Sequence, residues 1–313
     1  MITKIFFCSD IHGSTKCWRK IISAGEFYKV NHVILGGDMT GKAVVPLVAQ
    51  SDGTYASSFL GRKWILKNKK ELEDHKKLID NSGWYTYETD LGELEGLKEK
   101  KDRVDQIFKE KVIERVREWA EIAEVNLKPK SKKIIVAPGN DDHHFIDPIL
   151  EGSDVILNAE GKVLNLDAQH EMLSSGWCNP TPWNTPRECS EEELARKIDV
   201  MTSQIKDMKN SVFNLHVPPF GSGLDTAPKL KENLQITPSG ETAAVGSRAV
   251  SNAIHKYQPM LGLHGHIHEA MGRREIARTV CVNPGSNYTE GILNGVIIAF
   301  DEKGVKSTVF TSG

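Results

Sequence analysis

Seven side chains that carry oxygen or nitrogen donors follow short apolar segments at five places in the chain. The set contains two carboxylates, four imidazoles and one amide: Asp10, His12, Asp38, Asn140, His216, His266 and His268. Singly, each has an ordinary explanation, since strand-end aspartates are commonly turn or cap residues. Jointly, in a sequence without a thiolate cluster, they suit two divalent ions of borderline-hard character, such as Mn, Fe or Zn. A carboxylate shared by two ions about 3.5–4 Å apart supports in-line displacement at phosphorus.

The apolar segments predict the strands that position these side chains. They cover residues 2–8, 32–35, 132–137, 211–215 and 260–263, and each has the length and residue types of a buried strand. Ligands bind at the carboxyl ends of strands in open α/β sheets, so we expect the seven side chains at one edge. Because alternate residues of a strand point the same way, His266 and His268 are expected to face one centre. His264 is expected to be a buried structural histidine.

Helices are predicted between the strands. Residues 14–27 and 247–256 suit connecting helices, and further strands are predicted at 279–282, 296–300 and 305–310. Strands that alternate with helices and then close the chain predict a layered α/β sandwich rather than a barrel. A polar loop over 177–193 leads into another helix, with Ser190 as the N-cap and Glu193 three positions later.

The segment from about 51 to 130 interrupts this alternation. It is rich in lysine and glutamate, and its apolar residues recur about every fourth position. That spacing predicts an amphipathic helix with one stripe, formed by Val104, Phe108, Val112, Val116, Ala120 and Ala123. We interpret the segment as a solvated helical hairpin packed on the sandwich, with a lid over the site or a dimerisation surface as alternatives. Residues 1–313 are then one domain with a helical insertion.

The composition argues against several classes of protein. Hydrophobic residues make up 39% and charged residues 26% of the chain, as in an ordinary globular protein. A net charge of −2 provides no global field that would attract nucleic acid or an anionic membrane. Neither a signal peptide nor an apolar run of membrane-spanning length is visible. The five cysteines are scattered, which argues against disulfides and structural zinc. We therefore expect a cytoplasmic protein.

The order of the motifs resembles the five-block signature of the calcineurin-like metallophosphoesterases. The blocks are Asp10-Ile11-His12, Gly36-Gly37-Asp38, Gly139-Asn140-Asp141-Asp142, His216 and Gly265-His266-Ile267-His268. The loop Asn179-Pro180-Thr181-Pro182 and residues 261–269 are most similar to predicted phosphoesterases related to the Icc group. The resemblance implies an α/β fold, a four-layer sandwich of two mixed β-sheets flanked by helices.

The resemblance also implies a role for each site residue. The metal ligands fall into a first set, Asp10, His12 and His268, and a second set, Asn140, His216 and His266, with Asp38 bridging two ions. A hydroxide held between the ions would be the nucleophile, because metal binding lowers the pKa of water to around neutrality. Two divalent ions are the expected cofactors, with Mn favoured. Asp142 would take an outer acidic role and orient a ligand or a partner histidine.

One position departs from the family pattern. The third block usually continues with a histidine that contacts the phosphate and assists the leaving oxygen, whereas this chain has Asp141. A carboxylate repels a phosphate dianion unless it is protonated or paired. We therefore expect weakened hydrolysis of monoesters and a preference for phosphodiesters of small or nucleotide-like substrates. The alternative is that His143 or His144 supplies the imidazole.

Other functions stay open at this point. The second enzymatic hypothesis is a broad-specificity phosphomonoesterase. From a different class comes a non-catalytic metal-binding scaffold, although a scaffold has no need of seven intact ligands. A DNA exonuclease would keep the histidine that is absent here and would carry basic and aromatic residues for a strand. The expected partner is thus a small phosphoester, without membrane or nucleic acid, and a homodimer is left open.

Overall fold

The computed structural model describes residues 2–231, 235, 237 and 240–313. The strands of this part are β1 Thr3–Cys8, β2 His32–Leu35, β3 Val44–Ala49, β4 Tyr55–Phe59, β5 Arg62–Leu66, β6 Tyr85–Asp90, β7 Ile134–Val136, β8 Ile156–Asn158, β9 Lys162–Asn165, β10 Glu171–Ser175, β11 Val212–Leu215, β12 Thr226–Pro228, β13 Thr242–Ala244, β14 Leu261–Leu263, β15 Gly272–Ile276, β16 Thr279–Asn283, β17 Asn294–Asp301 and β18 Gly304–Ser312. The α-helices are α1 Thr15–Phe27, α2 Lys69–Asn81, α3 Leu91–Leu97, α4 Lys101–Leu127, α5 Asp147–Glu151, α6 Glu191–Thr202 and α7 Arg248–Tyr257.

Two mixed β-sheets form the centre of the structure. Each has six strands within the part of the chain that the structure describes. The first has the order β18-β17-β1-β2-β7-β8, and the second has the order β15-β16-β14-β11-β10-β9. Four neighbouring strands of each sheet are parallel, namely β1, β2, β7 and β8 in the first and β16, β14, β11 and β10 in the second. The parallel strands of a sheet end at one edge, which gathers the loops that follow them.

Strand β1 shows how the layers are arranged. Its alternate side chains Ile5 and Phe7 lie in the core between the two sheets. Phe6 and Cys8 lie instead in the core that contains residues of α1, α4 and α5. A third core packs the outer face of the second sheet against α6 and α7. The order is therefore helices, sheet, sheet, helices, which confirms the predicted four-layer sandwich.

The strands predicted ahead of the site residues are all present, with shorter ends in four of the five cases. The predicted cap of α6 is present as well, since the Ser190 side chain accepts a hydrogen bond from the Glu193 backbone N–H at 3.2 Å. Within the described ranges, we find no helix that combines the length and the apolar character needed to cross a bilayer.

The prediction for residues 51–130 was incomplete. Helices α2, α3 and α4 are present, but so is a sheet of the order β5-β4-β3-β6, packed on α2. Strands β4 and β5 form a hairpin whose two turn residues, Leu60 and Gly61, have φ of 48° and 72°. Positive φ at both positions is typical of tight hairpin turns. The alternation was hidden because β4 and β5 are only partly buried, because β5 begins with the charged Arg62 and Lys63, and because the polar Ser57 occupies a buried position.

Helix α4 contains the predicted amphipathic stripe, rotated from its predicted position. Val112, Val116 and Ala123 are buried, whereas Val104 is 45% exposed. The indole ring of Trp119 stacks on that of Trp18 in α1, with ring centroids 4.9 Å apart. The large aromatic side chain therefore defines the buried face, because it buries more apolar area than valine or alanine. The description of 1–313 as one domain with an insertion stays a prediction.

Candidate metal centre

The seven predicted site residues lie in the loops that follow β1, β2, β7, β11 and β14. Backbone hydrogen bonds join neighbouring loops, from Asp10 N to Gly37 O at 3.0 Å and from His12 N to Asp38 O at 3.0 Å. The His266 backbone N–H donates to the Asp10 carboxylate, at 3.1 Å and 3.0 Å from its two oxygens, and so connects the loops of the two sheets. Gly139 packs so closely on Asp38 that a Cβ would collide with the Asp38 backbone N and Oδ1. The loops therefore hold one another in place.

The His-x-His pair reaches the site by a different route from the predicted one. Strand β14 ends at Leu263, so His266 and His268 lie beyond the strand and strand alternation does not orient them. Instead His266 has a left-handed backbone with φ of 67°. Asp10, His12 and Asp38 are also left-handed, with φ of 58°, 37° and 48°. Such conformations are uncommon outside glycine, cost free energy and cluster at functional sites.

The carboxylates and imidazoles of the described residues form three overlapping groups that could hold a cation; one of them joins Asp141 to His12 and Asp38, and the other two contain the predicted ligands. In the first of these two, donor atoms of Asp10, His12 and His268 all lie within 4.8 Å of one another. In the second, donor atoms of Asp38, His216 and His266 meet the same limit. Asn140 joins the second group, because its Oδ1 lies 2.7 Å from His266 Nδ1. The first and second groups match the two ligand sets implied by the family resemblance and are consistent with a dinuclear metal site. Ligation by each residue stays a prediction.

Asp38 occupies the position expected of a bridging carboxylate. Its Oδ2 lies 3.7 Å from His12 Nε2 in the first group and 3.4 Å from His216 Nε2 in the second. His216 Nε2 is buried and forms no hydrogen bond with any described residue. A buried polar atom without a partner costs free energy, and a cation shared with Asp38 would satisfy it. The donor set therefore fits two divalent ions.

Electrostatics in the site favour added positive charge. Asp10 and Asp38 are both buried, with exposed fractions of 1% and 2%. Burial opposes ionisation of Asp38, yet His216 and His12 hold the pKa of its carboxyl well below the usual value. Burial likewise lowers the pKa of His216, but Asp38 and Asp10 together raise it to about 10. A buried carboxylate pair of this kind needs compensating charge, which a proton or a cation can provide.

The polar loop before α6 orients Asn140, and sequence reasoning missed this. Thr185 Oγ1 accepts a hydrogen bond from Asn140 Nδ2 at 2.9 Å, and it donates to Glu188 Oε1 at 2.6 Å. With its amide nitrogen held in this way, Asn140 presents Oδ1 to the second group.

The same loop also contains a buried arginine. Arg187 is 1% exposed and donates from Nε to the Asp142 backbone O at 2.7 Å. A fully buried arginine is rare unless it is paired, and this one also pairs with Asp147 at 2.6 Å.

Asp142 joins two of the loops that carry predicted ligands. Its Oδ2 accepts from the backbone N–H groups of Met39 and Gly139, at 3.0 Å and 2.7 Å. Its Oδ1 accepts from Thr40 N at 2.8 Å and from Thr40 Oγ1 at 2.6 Å. The carboxylate therefore joins the loop after β2 to the loop after β7. It thereby positions the predicted ligands Asp38 and Asn140 through their neighbours, and the outer acidic role expected for Asp142 stays a prediction.

Asp141 lies at the rim of the site and is paired with a lysine that sequence reasoning did not single out. Its Oδ2 lies 3.7 Å from His12 Nδ1 and 2.5 Å from Lys42 Nζ. The Asp141 backbone N–H donates to Asp38 Oδ1 at 3.0 Å. Burial and the charge of Asp38 raise the pKa of Asp141 to about 7, although Lys42 opposes the shift. Tyr288 covers the His12 ring, with centroids 4.7 Å apart.

The remaining histidines near the motifs contact other residues. His143 stacks on Phe145 with centroids 4.9 Å apart, and His144 lies against Trp177 at 5.7 Å. Neither ring belongs to the His/Asp groups found among the described residues, so nothing supports their replacing the family histidine. His264 is buried and hydrogen-bonds the Leu215 backbone O from Nδ1 at 2.7 Å. It is a structural histidine, as predicted.

The insertion contacts the site loops directly. Arg115 of α4 donates from Nη1 to the backbone O of Gly13, next to His12, at 2.7 Å. The Tyr85 hydroxyl in β6 accepts from the Gly41 backbone N–H, next to Lys42, at 2.8 Å. Residues of the insertion therefore help to fix the two loops that carry His12 and Lys42, the residues that Asp141 contacts.

Comparisons with known proteins agree with this fold. An uncharacterized protein of Methanocaldococcus jannaschii, MJ1162, is 28% identical over 155 residues, which cover 49% of this chain and 63% of that protein. The match thus spans less than two thirds of the relative's length. No protein-family profile matches the chain.

Solved structures align over the whole chain. One crystal structure covers 99% of both chains with a TM-score of 0.58 and 14% identity. The protein TT1561 of Thermus thermophilus covers 100% of this chain and 99% of its own, with a TM-score of 0.55 and 12% identity. YfcE, a phosphoesterase from E. coli, covers 98% of both chains at a TM-score of 0.33 and 11% identity. At such identities the likeness concerns the fold alone. The chain therefore shares its fold with the first two of these solved structures, and its His/Asp groups lie where the family resemblance of the sequence predicts them.

Proposed function

We propose that this chain hydrolyses phosphate esters with the help of two divalent metal ions. The observation that carries the proposal is the pair of donor groups around one shared carboxylate, Asp38. Two ions at such a site supply a nucleophile at neutral pH and stabilise charge on the attacking and leaving oxygens of an in-line displacement. The mixed carboxylate, amide and imidazole donors suit Mn, Fe or Zn, and Mn is the metal that we propose to test first.

The chain's own residues would hold and restrain the site. Asp10, His12 and His268 would bind one ion, and Asn140, His216 and His266 the other. The hydrogen bond that Asn140 donates to Thr185, and the bond that the loop after β2 donates to Asp142, would keep the metal ligands oriented before substrate arrives. Preorganised donors lower the barrier because they need no rearrangement during reaction.

For the substrate, we propose phosphodiesters of small or nucleotide-like compounds. Asp141 stands at the rim, and its charge is offset by Lys42 rather than left free. A rim with little net charge suits a diester, which carries one negative charge, better than a dianionic monoester. The second candidate is a phosphomonoesterase, which the half-exposed ammonium of Lys42 favours because it could offset the extra charge of a dianion.

A direct comparison of two esters tests the proposal. Purified protein would be loaded with Mn and assayed on the mono-aryl and bis-aryl phosphates of one phenol, with chelated protein as the control. We expect metal-dependent release of phenol, and a larger kcat/KM for the diester. A larger value for the monoester would make the chain a phosphomonoesterase. Binding of two Mn ions without hydrolysis of either ester would favour the non-catalytic scaffold.

A further inference from the structure

We propose that Lys42 binds the phosphoryl group of the substrate and that Asp141 holds it in position. This inference rests on the proposed phosphoesterase function and names a residue that determines which phosphates the site accepts. Lys42 follows Gly41 in the loop after β2, four residues beyond Asp38. Its ammonium lies 2.5 Å from Asp141 Oδ2, an atom grouped with donors of His12 and Asp38.

The lysine is fixed at its base and accessible at its tip. The Gly41 backbone N–H donates to the Tyr85 hydroxyl at 2.8 Å, and the Thr40 backbone N–H donates to Asp142 at 2.8 Å. The Lys42 side chain is nevertheless 52% exposed, while that of Asp141 is 14% exposed. A ligand that enters from solvent can therefore reach the Lys42 side chain.

The charges of Lys42 and Asp141 favour a role in ligand binding that an ordinary surface ion pair does not have. Asp141 Oδ2 lies 3.7 Å from His12 Nδ1, so its carboxylate faces the space where a phosphate would approach the first group. Without a cation beside it, that carboxylate would repel the phosphate. Lys42 removes the repulsion, and the N–H groups of its ammonium that do not contact Asp141 can donate to phosphate oxygens. Surface ion pairs contribute little to stability, so the pair is better explained by ligand binding than by folding.

Phosphate binding measured without turnover tests the inference. The probe is inorganic phosphate, titrated calorimetrically into Mn-loaded protein at low ionic strength. Removing a charge-assisted contact should raise the phosphate Kd on the order of 10- to 100-fold in Lys42→Gln. Lys42→Arg should recover most of the affinity. Lys130→Gln is the matched control, because Lys130 is an exposed lysine paired with Glu26 elsewhere on the surface.

Several outcomes separate this inference from the proposed function. Equal phosphate affinity in wild type and Lys42→Gln, with hydrolysis intact, would overturn the role of Lys42 and leave the phosphoesterase function standing. Absence of both phosphate binding and hydrolysis in Mn-loaded wild type would overturn both. Two Mn ions must be counted in every variant, so that a loss of metal is not mistaken for a loss of the phosphate contact. Equal weakening in Lys42→Gln and Lys130→Gln would show a general charge effect and contradict the inference.

Discussion

The Nε2 atoms of His12 and His268 lie 3.0 Å apart, although 256 positions separate the two residues in the sequence. Two imidazole nitrogens at this distance repel through their lone pairs unless a proton or a cation lies between them. A divalent cation would use both lone pairs, since imidazole nitrogens are common ligands of such ions. The spacing therefore suits two ligands of one ion, with Asp10 Oδ1 3.4 Å from His268 Nε2 as the third donor.

Removing one of these imidazoles should empty one ion site. We expect His268→Ala to bind about one Mn ion per chain where wild type binds two, as counted by atomic emission after gel filtration. His144→Ala is the control, since that ring contacts Trp177 and Asp147 instead. Two ions retained by His268→Ala, with affinities like those of wild type, would exclude His268 as a ligand.

The loop before α6 should influence metal affinity through Asn140. Thr185→Val keeps the shape of the side chain and removes the hydroxyl that accepts from Asn140 Nδ2. Outer hydrogen bonds to ligands are typically worth 10- to 100-fold in metal affinity or activity, so we expect a loss of about that size at one of two sites. Thr181→Val is the matched control, because its hydroxyl also donates to Glu188 but does not contact Asn140. Equal effects of the two changes would show that only loop stability is involved.

The identity of residue 141 should shift the choice between esters. Asp141→His removes a negative charge beside the phosphate, so we expect monoester hydrolysis to rise relative to diester hydrolysis. At an effective dielectric of about 20, two unit charges 5 Å apart interact by roughly 3 kcal/mol. Screening by Lys42 lowers this figure, and half of it is still about tenfold in rate. The assay uses mono- and diesters of one alcohol. If the ratio of monoester to diester hydrolysis is unchanged in the metal-loaded variant, residue 141 does not determine the choice between esters.

A buried carboxyl near the site should make stability depend on pH. Glu160 accepts from the Gly176 backbone N–H at 2.6 Å, and burial raises its pKa from 4.5 to about 7. Because the folded pKa exceeds the unfolded one, the stabilisation is complete below pH 4.5 and is lost as the pH rises through 7. Relative to Glu160→Gln, wild type should lose up to about 3 kcal/mol of unfolding free energy across this range. Urea denaturation of both proteins at several pH values measures the difference, and parallel curves would contradict it.

The strands and the donor residues could be predicted from sequence because both are local patterns. Runs such as 32–35 and 134–136 are apolar on both faces, as buried parallel strands require. Each run is followed at once by a donor, so the sheet edge could be inferred before any contact was known. The left-handed backbone that orients the His266 side chain could not be inferred, because the residue type alone does not predict a positive φ.

The missed residues depend on tertiary contacts. Lys42 looks like an ordinary charged loop residue until the fold brings Asp141, 99 positions later, to its ammonium. Thr185 and Arg187 lie in a loop whose composition predicts only turns, and their partners Asn140 and Asp142 follow a different strand. The sheet β5-β4-β3-β6 was missed because β4, β5 and β6 are short and only partly buried, and because β5 and β6 include charged residues.

The proposed hydrolysis of phosphoesters depends on two ions around Asp38. The most direct measurement is the initial rate on a bis-aryl phosphate as Mn is titrated into chelated protein, for wild type and for Asp38→Asn. We predict that the wild-type rate rises until about two equivalents are bound, and that Asp38→Asn shows no turnover while its circular dichroism stays that of a folded chain. Near-normal turnover in a folded Asp38→Asn protein, or a full wild-type rate with one bound ion, would contradict the account.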